Sequence, residues 1–302
     1  MPEEPVIAVV GPTASGKTSL SLALARELGG EIVNADSMQL YRGMDIGTAK
    51  LRPEQRRGIP HHALDLWDVT EPASVAEYQR VARAAIDDIR ARGHRALLVG
   101  GSGLYVRAAL EQFEFPGTDP EVRARLEAEL AESGPAPLYA RLAAANPVAA
   151  AKILPGNGRR IVRALEVQEL TGAGFTATLP EPTPFYESVQ LGLDCDPDVL
   201  DRRIETRVGQ MWRDGLLAEV RELETRGLRT GLTASRALGY QQALAQLDGE
   251  LDEAQAQADT VRATRRFVRR QRSWFRRDAR VHWLDGATPH LLSQALARLD
   301  AP

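Results

Sequence analysis

Eight residues near the start of the chain, Gly11-Pro12-Thr13-Ala14-Ser15-Gly16-Lys17-Thr18, carry the spacing G-x-x-x-x-G-K-[ST] of a phosphate-cradling loop. The two glycines let the backbone curl until successive N–H groups converge on one anion. A helix opening near Gly16 adds the positive end of its dipole. Lys17 supplies a point charge to that anion, and the Thr18 hydroxyl is the expected ligand of a Mg²⁺ ion. The motif asks for a diphosphate or polyphosphate and leaves its fate open.

Two further segments carry chemistry. Asn34-Ala35-Asp36-Ser37-Met38-Gln39-Leu40-Tyr41 sets a carboxylate just past a short apolar run. Asp36 is the candidate for proton transfer or for holding metal-bound water, with a capping role in the following turn as the alternative. Gln39 could read a base edge or be a surface amide. Gly100-Gly101-Ser102-Gly103-Leu104-Tyr105 is a flexible turn that opens another helix. Nucleotide-hydrolysing P-loop proteins commonly carry an aspartate where Gly100 ends its strand, so its absence argues against motors and switches. His61-His62 is expected in a loop. Adjacent side chains there point apart, which favours structural hydrogen bonds over a shared metal. Lys50 is either a second phosphate cation or an exposed loop lysine. Arg221 is either a surface charge or a phosphate clamp.

Net charge is only −3, so partners must be sought in local charge. Arg159, Arg160 and Arg163 share one side of a helix running to Thr171. Nine arginines crowd residues 262–280, with Asp278 the single acid and Phe267, Trp274 and Phe275 interleaved. A field of that strength suits a nucleic acid backbone, unless acids from elsewhere balance it. The aromatics fit core anchoring better than base stacking.

These residues must be held by elements, and the chain supplies them. Strands are expected at 6–10, 31–35 and 95–99, with helices at 17–28 and after Ser74. Ser74-x-x-Glu77 is a capping box, and Tyr78, Val81, Ala85, Ile86 and Ile89 form the apolar stripe. Strands return at 189–193 and 281–284. This rhythm predicts an α/β fold, a P-loop NTPase-like parallel sheet flanked by helices, with a helical insertion. The expected core comprises residues 1–115 and 188–302, the latter ending in the basic helix, and the insertion is 116–187. At 302 residues and 43% apolar content the chain can bury a full core. Cys195 is the lone cysteine, which excludes an internal disulfide and any cysteine-based zinc site. No run approaches a membrane span, and the acidic opening Met1-Pro2-Glu3-Glu4 is unlike a signal peptide, so a cytoplasmic protein is expected.

Taken in order, these segments resemble the bacterial tRNA dimethylallyltransferases, also called tRNA isopentenyltransferases. The matching stretches are 11–18, 36–41, 47–50, Pro60-His61-His62, 100–105, 159–166, Glu219-Val220-Arg221, Gly239-Tyr240 and 269–276. The resemblance implies transfer of a dimethylallyl group from its diphosphate to N6 of adenosine 37 in tRNA. It implies that Gly11, Pro12, Thr13, Ala14, Ser15, Gly16, Lys17 and Thr18 bind diphosphate with Mg²⁺. It implies catalytic roles for Asp36 as general base, Thr13 and Arg221. It implies tRNA contacts at Asp36, Ser37, Met38, Gln39, Ser102, Arg123, Arg159, Arg160, Ile161, Val162 and Arg163. Ser102 stands where the family usually has threonine, and the hydroxyl survives. A monomer is expected, and an ATP-binding label would be formal. A P-loop kinase of a small metabolite and a non-catalytic RNA-binding module are the competing classes.

Overall fold

A computed structural model describes residues 4–172, 175–176 and 179–300; the terminal residues 1–3, on which the signal-peptide reading partly rests, lie outside them. The elements, in chain order, are β1 (Val6–Val10), α1 (Lys17–Leu28), β2 (Gly30–Asn34), β3 (His61–His62), α2 (Val75–Ala91), β4 (Arg95–Gly100) and α3 (Gly103–Leu110). There follow α4 (Pro120–Ser133), α5 (Pro135–Ala145), α6 (Pro147–Ala150) and α7 (Gly158–Thr171). The chain continues through β5 (Ser188–Asp194), α8 (Pro197–Arg213), α9 (Leu216–Thr225), α10 (Tyr240–Leu247), α11 (Glu253–Phe275), β6 (Val281–Asp285) and α12 (Leu291–Leu299). It divides into two compact units, Met1–Gln112 with Pro184–Pro302, and Phe113–Thr183.

The first unit is built on a six-stranded sheet of order β3-β2-β4-β1-β5-β6, parallel throughout, as expected. β1 is central because all five of its residues are apolar and can be buried on both faces. Its alternation feeds two cores. Val6, Ala8 and Val10 join one with residues of α2, α3, α8, α9, α10 and α11, while Ile7 and Val9 join another with α1 and α12. β1 pairs with β4 on one side and β5 on the other, so the loop after it opens where ligands of such sheets gather.

Two local expectations are corrected. His61 and His62 form a short edge strand rather than a loop, paired in register with Ile32 and Val33. A two-residue strand leaves no period to read. Side chains hold it there: His62 Nε2 lies 2.6 Å from Glu31 Oε2, and Arg92 grips the same carboxylate. Only half of the Ser74 capping box forms. Ser74 Oγ accepts from Glu77 N at 3.2 Å, but the Glu77 carboxylate instead accepts from Trp67 Nε1 at 3.0 Å.

The Arg92 hydrogen bond outweighs burial and holds the Glu31 carboxyl down at about 2, with His62 adding to the effect. A carboxylate depressed in the fold contributes stability above its ordinary range and loses it as pH falls towards 2. Thermal melts of Glu31→Gln between pH 5 and pH 2.5 are therefore expected to show a flatter acid dependence than the parent. An unchanged slope would discount the pair.

The second unit packs α4, α5, α6 and α7 about Leu126, Leu138, Leu142, Ile161, Val162 and Leu165. Glu166 is buried within it, accepting from Arg163 Nη1 at 2.7 Å, from Arg123 and from the Asp119 N–H.

Candidate active site

The P-loop is shaped by close approach of backbone. Gly11 has φ 135, and a Cβ there would lie 2.2 Å from the Leu193 carbonyl oxygen of β5, so no other residue fits. Ala14 holds a left-handed φ of 68 without glycine's freedom. Its carbonyl accepts from Arg203 Nη1 of α8 at 3.2 Å, which helps keep it there. Lys17 Nζ donates to the Pro12 carbonyl at 2.7 Å and closes the loop. Gly16 caps α1 in the left-handed conformation, leaving the first-turn N–H groups without a side-chain cap. Ser15 is fully buried, and its Oγ has no hydrogen-bond partner among the described residues. Thr18 is exposed beside it. An orphaned buried hydroxyl and an exposed one within an amide nest suit an anion with its counter-cation.

Asp36 follows β2, and a buried asparagine frames it. Asn34 Oδ1 accepts from Asp36 N, and Asn34 Nδ2 donates to the carbonyls of Asp36 and Ala63, each at 3.0 Å. Tyr78 fixes the strand end by donating to the Asn34 carbonyl at 2.8 Å. Asp36 Oδ1 accepts from Met38 N at 3.0 Å, an Asx turn rather than a helix cap. No donor among the described residues engages Oδ2. The P-loop lysine and this carboxylate act on each other electrostatically. Burial lowers the Lys17 pKa to about 8, with Asp36 opposing and Arg207 reinforcing.

Ser102 joins this group. Its Oγ accepts from Ser37 N and donates to Ser37 Oγ, both at 3.2 Å. Gln39 donates through Nε2 to the Thr48 carbonyl at 3.1 Å, which leaves its amide oxygen available. Met38 packs partly against the core. The missing aspartate at the end of β4 has a steric cause. A Cβ on Gly100 would stand 2.2 Å from the Ala35 carbonyl oxygen, so no side chain fits there.

Other expectations change. Lys50 is neither exposed nor turned to a phosphate. It is buried and bonded to the Tyr41 carbonyl at 2.9 Å, to Asp65 at 2.6 Å and to Asp45 at 2.7 Å. Arg221 is exposed on α9, with no hydrogen bond or ion pair to the P-loop or Asp36 among the described residues. Two arginines of α8 act at the loop: Arg203 donates to the Ala14 carbonyl, and Arg207 acts electrostatically on Lys17 and Asp36. Burial lowers the Arg207 pKa, Asp36 raises it and Arg203 lowers it. Nothing in the sequence singled out this pair except an i, i+4 spacing. Gln271 was also missed. It sits in the buried stripe of α11 with Val268 and Phe275, where an amide is out of place.

In the second unit Ile161 and Val162 are buried at 0% and 1% exposure, so their side chains are core rather than nucleic-acid contacts. The helix that presents Arg159 and Arg160 outward turns Ile161 and Val162 in. Arg163 also donates to the carbonyls of Pro116 and Gly117, at 2.6 and 3.1 Å. Arg123 and Arg163 are thus held by Glu166, while Arg159 is exposed. Arg163→Ala is expected to cost this unit roughly 2 kcal/mol, read by hydrogen exchange along α7. Arg159→Glu should leave exchange unchanged and weaken RNA binding with a reduced salt slope. The reverse assignment of effects would refute this division.

The basic cluster of residues 262–280, on α11 and the turn after it, divides in the same way. Arg262 pairs with Asp259, Arg265 with Asp201 and Glu205, Arg272 and Arg276 with Asp194, and Arg280 with Asp278 and Glu111. Arg266, Arg269, Arg270 and Arg277 line one open surface with Ser273 and Trp274. Phe275 is in the core, whereas Trp274 is 39% exposed. No described helix is long and apolar enough to cross a membrane.

An IPP transferase family model matches residues 39–278. The chain is 71% identical to a tRNA dimethylallyltransferase of Salinispora arenicola over 98% of its own length and 86% of the relative's. It is 64% identical to that of Thermobifida fusca over 97% and 93%. The crystal structure of a tRNA isopentenylpyrophosphate transferase from Bacillus halodurans superposes with TM-score 0.72 at 40% identity, covering 98% and 97% of the two chains. A eukaryotic dimethylallyltransferase acting on tRNA superposes with TM-score 0.82 at 26% identity, over 98% and 77%. With a P-loop, a framed carboxylate and these relatives over nearly its whole length, the chain belongs to the IPP transferase family, that of the tRNA dimethylallyltransferases.

Proposed function

We infer that this chain transfers a dimethylallyl group from dimethylallyl diphosphate to N6 of adenosine 37 of tRNA, beside the anticodon, and releases diphosphate. The observation that carries the reading is Asp36. It is framed by Asn34, lies within the field of Lys17 and Arg207, and keeps one carboxylate oxygen unengaged.

The chemistry follows from these groups. The allylic C1–O bond breaks with its electron pair leaving on the diphosphate. The N6 lone pair forms the new N6–C1 bond, and the N6 proton passes to Asp36 Oδ2. Lys17, the P-loop N–H groups and Arg207 neutralise the leaving group, a role assigned here to Arg207 in place of Arg221. Thr13 and Ser15 line the cradle. A Mg²⁺ ion held by Thr18 and the diphosphate oxygens would add further neutralising charge. The adenine amine is a weak nucleophile, so the base must leave its stack and meet a site closed to water. Ser37, Gln39 and Ser102 would receive it. Arg159 and Arg160 of the insertion and the exposed arginines of α11 would hold the RNA backbone. The division into a catalytic core and an RNA-contacting insertion belongs to this proposal, as do a monomeric state and a cytoplasmic location. No step consumes ATP.

Incubation with unmodified tRNA and labelled dimethylallyl diphosphate tests it. Label in the RNA at the adenosine next to the anticodon is the expected result. ATP turnover with a small acceptor would mean a kinase, and tight RNA binding without turnover a binding module.

A further inference from the structure

Gln271 is the polar side chain out of place in the core stripe of α11. It is 5% exposed, and both ends of its amide are engaged. Its Oε1 accepts the N–H of Thr13 in the P-loop at 3.0 Å, and its Nε2 donates to the Gly101 carbonyl at 2.9 Å. One amide therefore ties the loop after β1 to the turn after β4. That turn presents Ser102, which binds Ser37 next to Asp36. The fit is close: a Cβ on Gly101 would lie 2.3 Å from Gln271 Nε2. An apolar side chain at residue 271 would leave the Thr13 N–H and the Gly101 carbonyl without partners.

We propose that Gln271 is a positioning residue that sets the P-loop against the Ser102 turn, so that diphosphate and acceptor are held in one register. It touches neither substrate and acts through Thr13 and Gly101. The proposal rests on the transferase reading above. Its two neighbours in sequence, Arg270 and Arg272, lie off the buried stripe, the first on the open basic surface and the second paired with Asp194. A change at residue 271 therefore separates the cradle from RNA binding.

In Gln271→Leu, the Kd for inorganic diphosphate and the KM for dimethylallyl diphosphate are expected to rise about ten- to a hundredfold, as for a slightly misplaced site. The Kd for an anticodon stem-loop RNA should stay within about twofold. Gly101→Ala disturbs the same amide from its other end and serves if the first variant fails to fold. The doubly substituted protein should lose no more diphosphate affinity than the weaker single variant, because both act through one amide. Unchanged diphosphate affinity in a folded variant, parallel loss of RNA and diphosphate binding, or additive effects would each overturn the proposal. A parent protein that transfers no label would instead overturn the transferase reading.

Discussion

Transfer by Asp36→Asn is expected to fall about a thousandfold, within the usual range for loss of a positioned general base, while RNA affinity stays within about twofold of the parent. Asparagine is the informative substitution. Its side-chain oxygen can still accept from Met38 N, which Asp36 Oδ1 does at 3.0 Å, so the turn survives. The amide cannot take the N6 proton. Single-turnover transfer with saturating RNA separates the chemical step from binding. A tenfold loss of RNA affinity with transfer retained would make Asp36 a turn residue and remove the base from the mechanism.

Lys17→Gln is expected to lower kcat/KM for dimethylallyl diphosphate about a hundredfold, since it removes a preorganised charge from the leaving group. The parent carries a second signature. Burial, opposed by Asp36 and aided by Arg207, lowers the Lys17 pKa to about 8. The free protein therefore loses this charge as pH rises through 8, and kcat/KM for the diphosphate should decline above that point. The decline should be absent in Lys17→Gln. Stability moves the other way. Between about 8 and the ordinary lysine value the unfolded chain binds the extra proton, so the folded state gains as pH rises. A profile identical in parent and variant would show that Lys17 does not titrate on the diphosphate.

The parallel sheet was legible because β1 is apolar at every position and is bounded by glycine and proline, a pattern that only a strand buried on both faces needs. The P-loop was legible because a phosphate nest requires glycine and lysine at fixed chain positions, whatever the surroundings. Asp36 was legible for the same reason, as a carboxylate just past a strand end, two residues beyond Asn34. His61 and His62 were not, since an edge pairing of two residues is decided by the Glu31 carboxylate across the sheet.

Charge was the least legible feature. Along the chain Arg123, Arg159 and Arg163 look alike, as do Arg269 and Arg272. Which of them stays available depends on whether Glu166 or Asp194 is brought within reach. Arg163 and Glu166 already stand three residues apart, but Glu166 is 43 residues from Arg123 and Asp194 is 78 from Arg272, so those pairs meet only after folding. The same holds for Arg203 and Arg207, which approach the P-loop because α8 packs beside it. Local covalent spacing thus determined the anion-binding loop, the strand order's raw material and the candidate base. Tertiary packing decided which cations are neutralised by acids remote in the chain, which reach the reacting groups, and that one buried glutamine joins two loops. Pairwise electrostatics and hydrogen bonds act through space over a few ångströms, and only the folded backbone defines that distance.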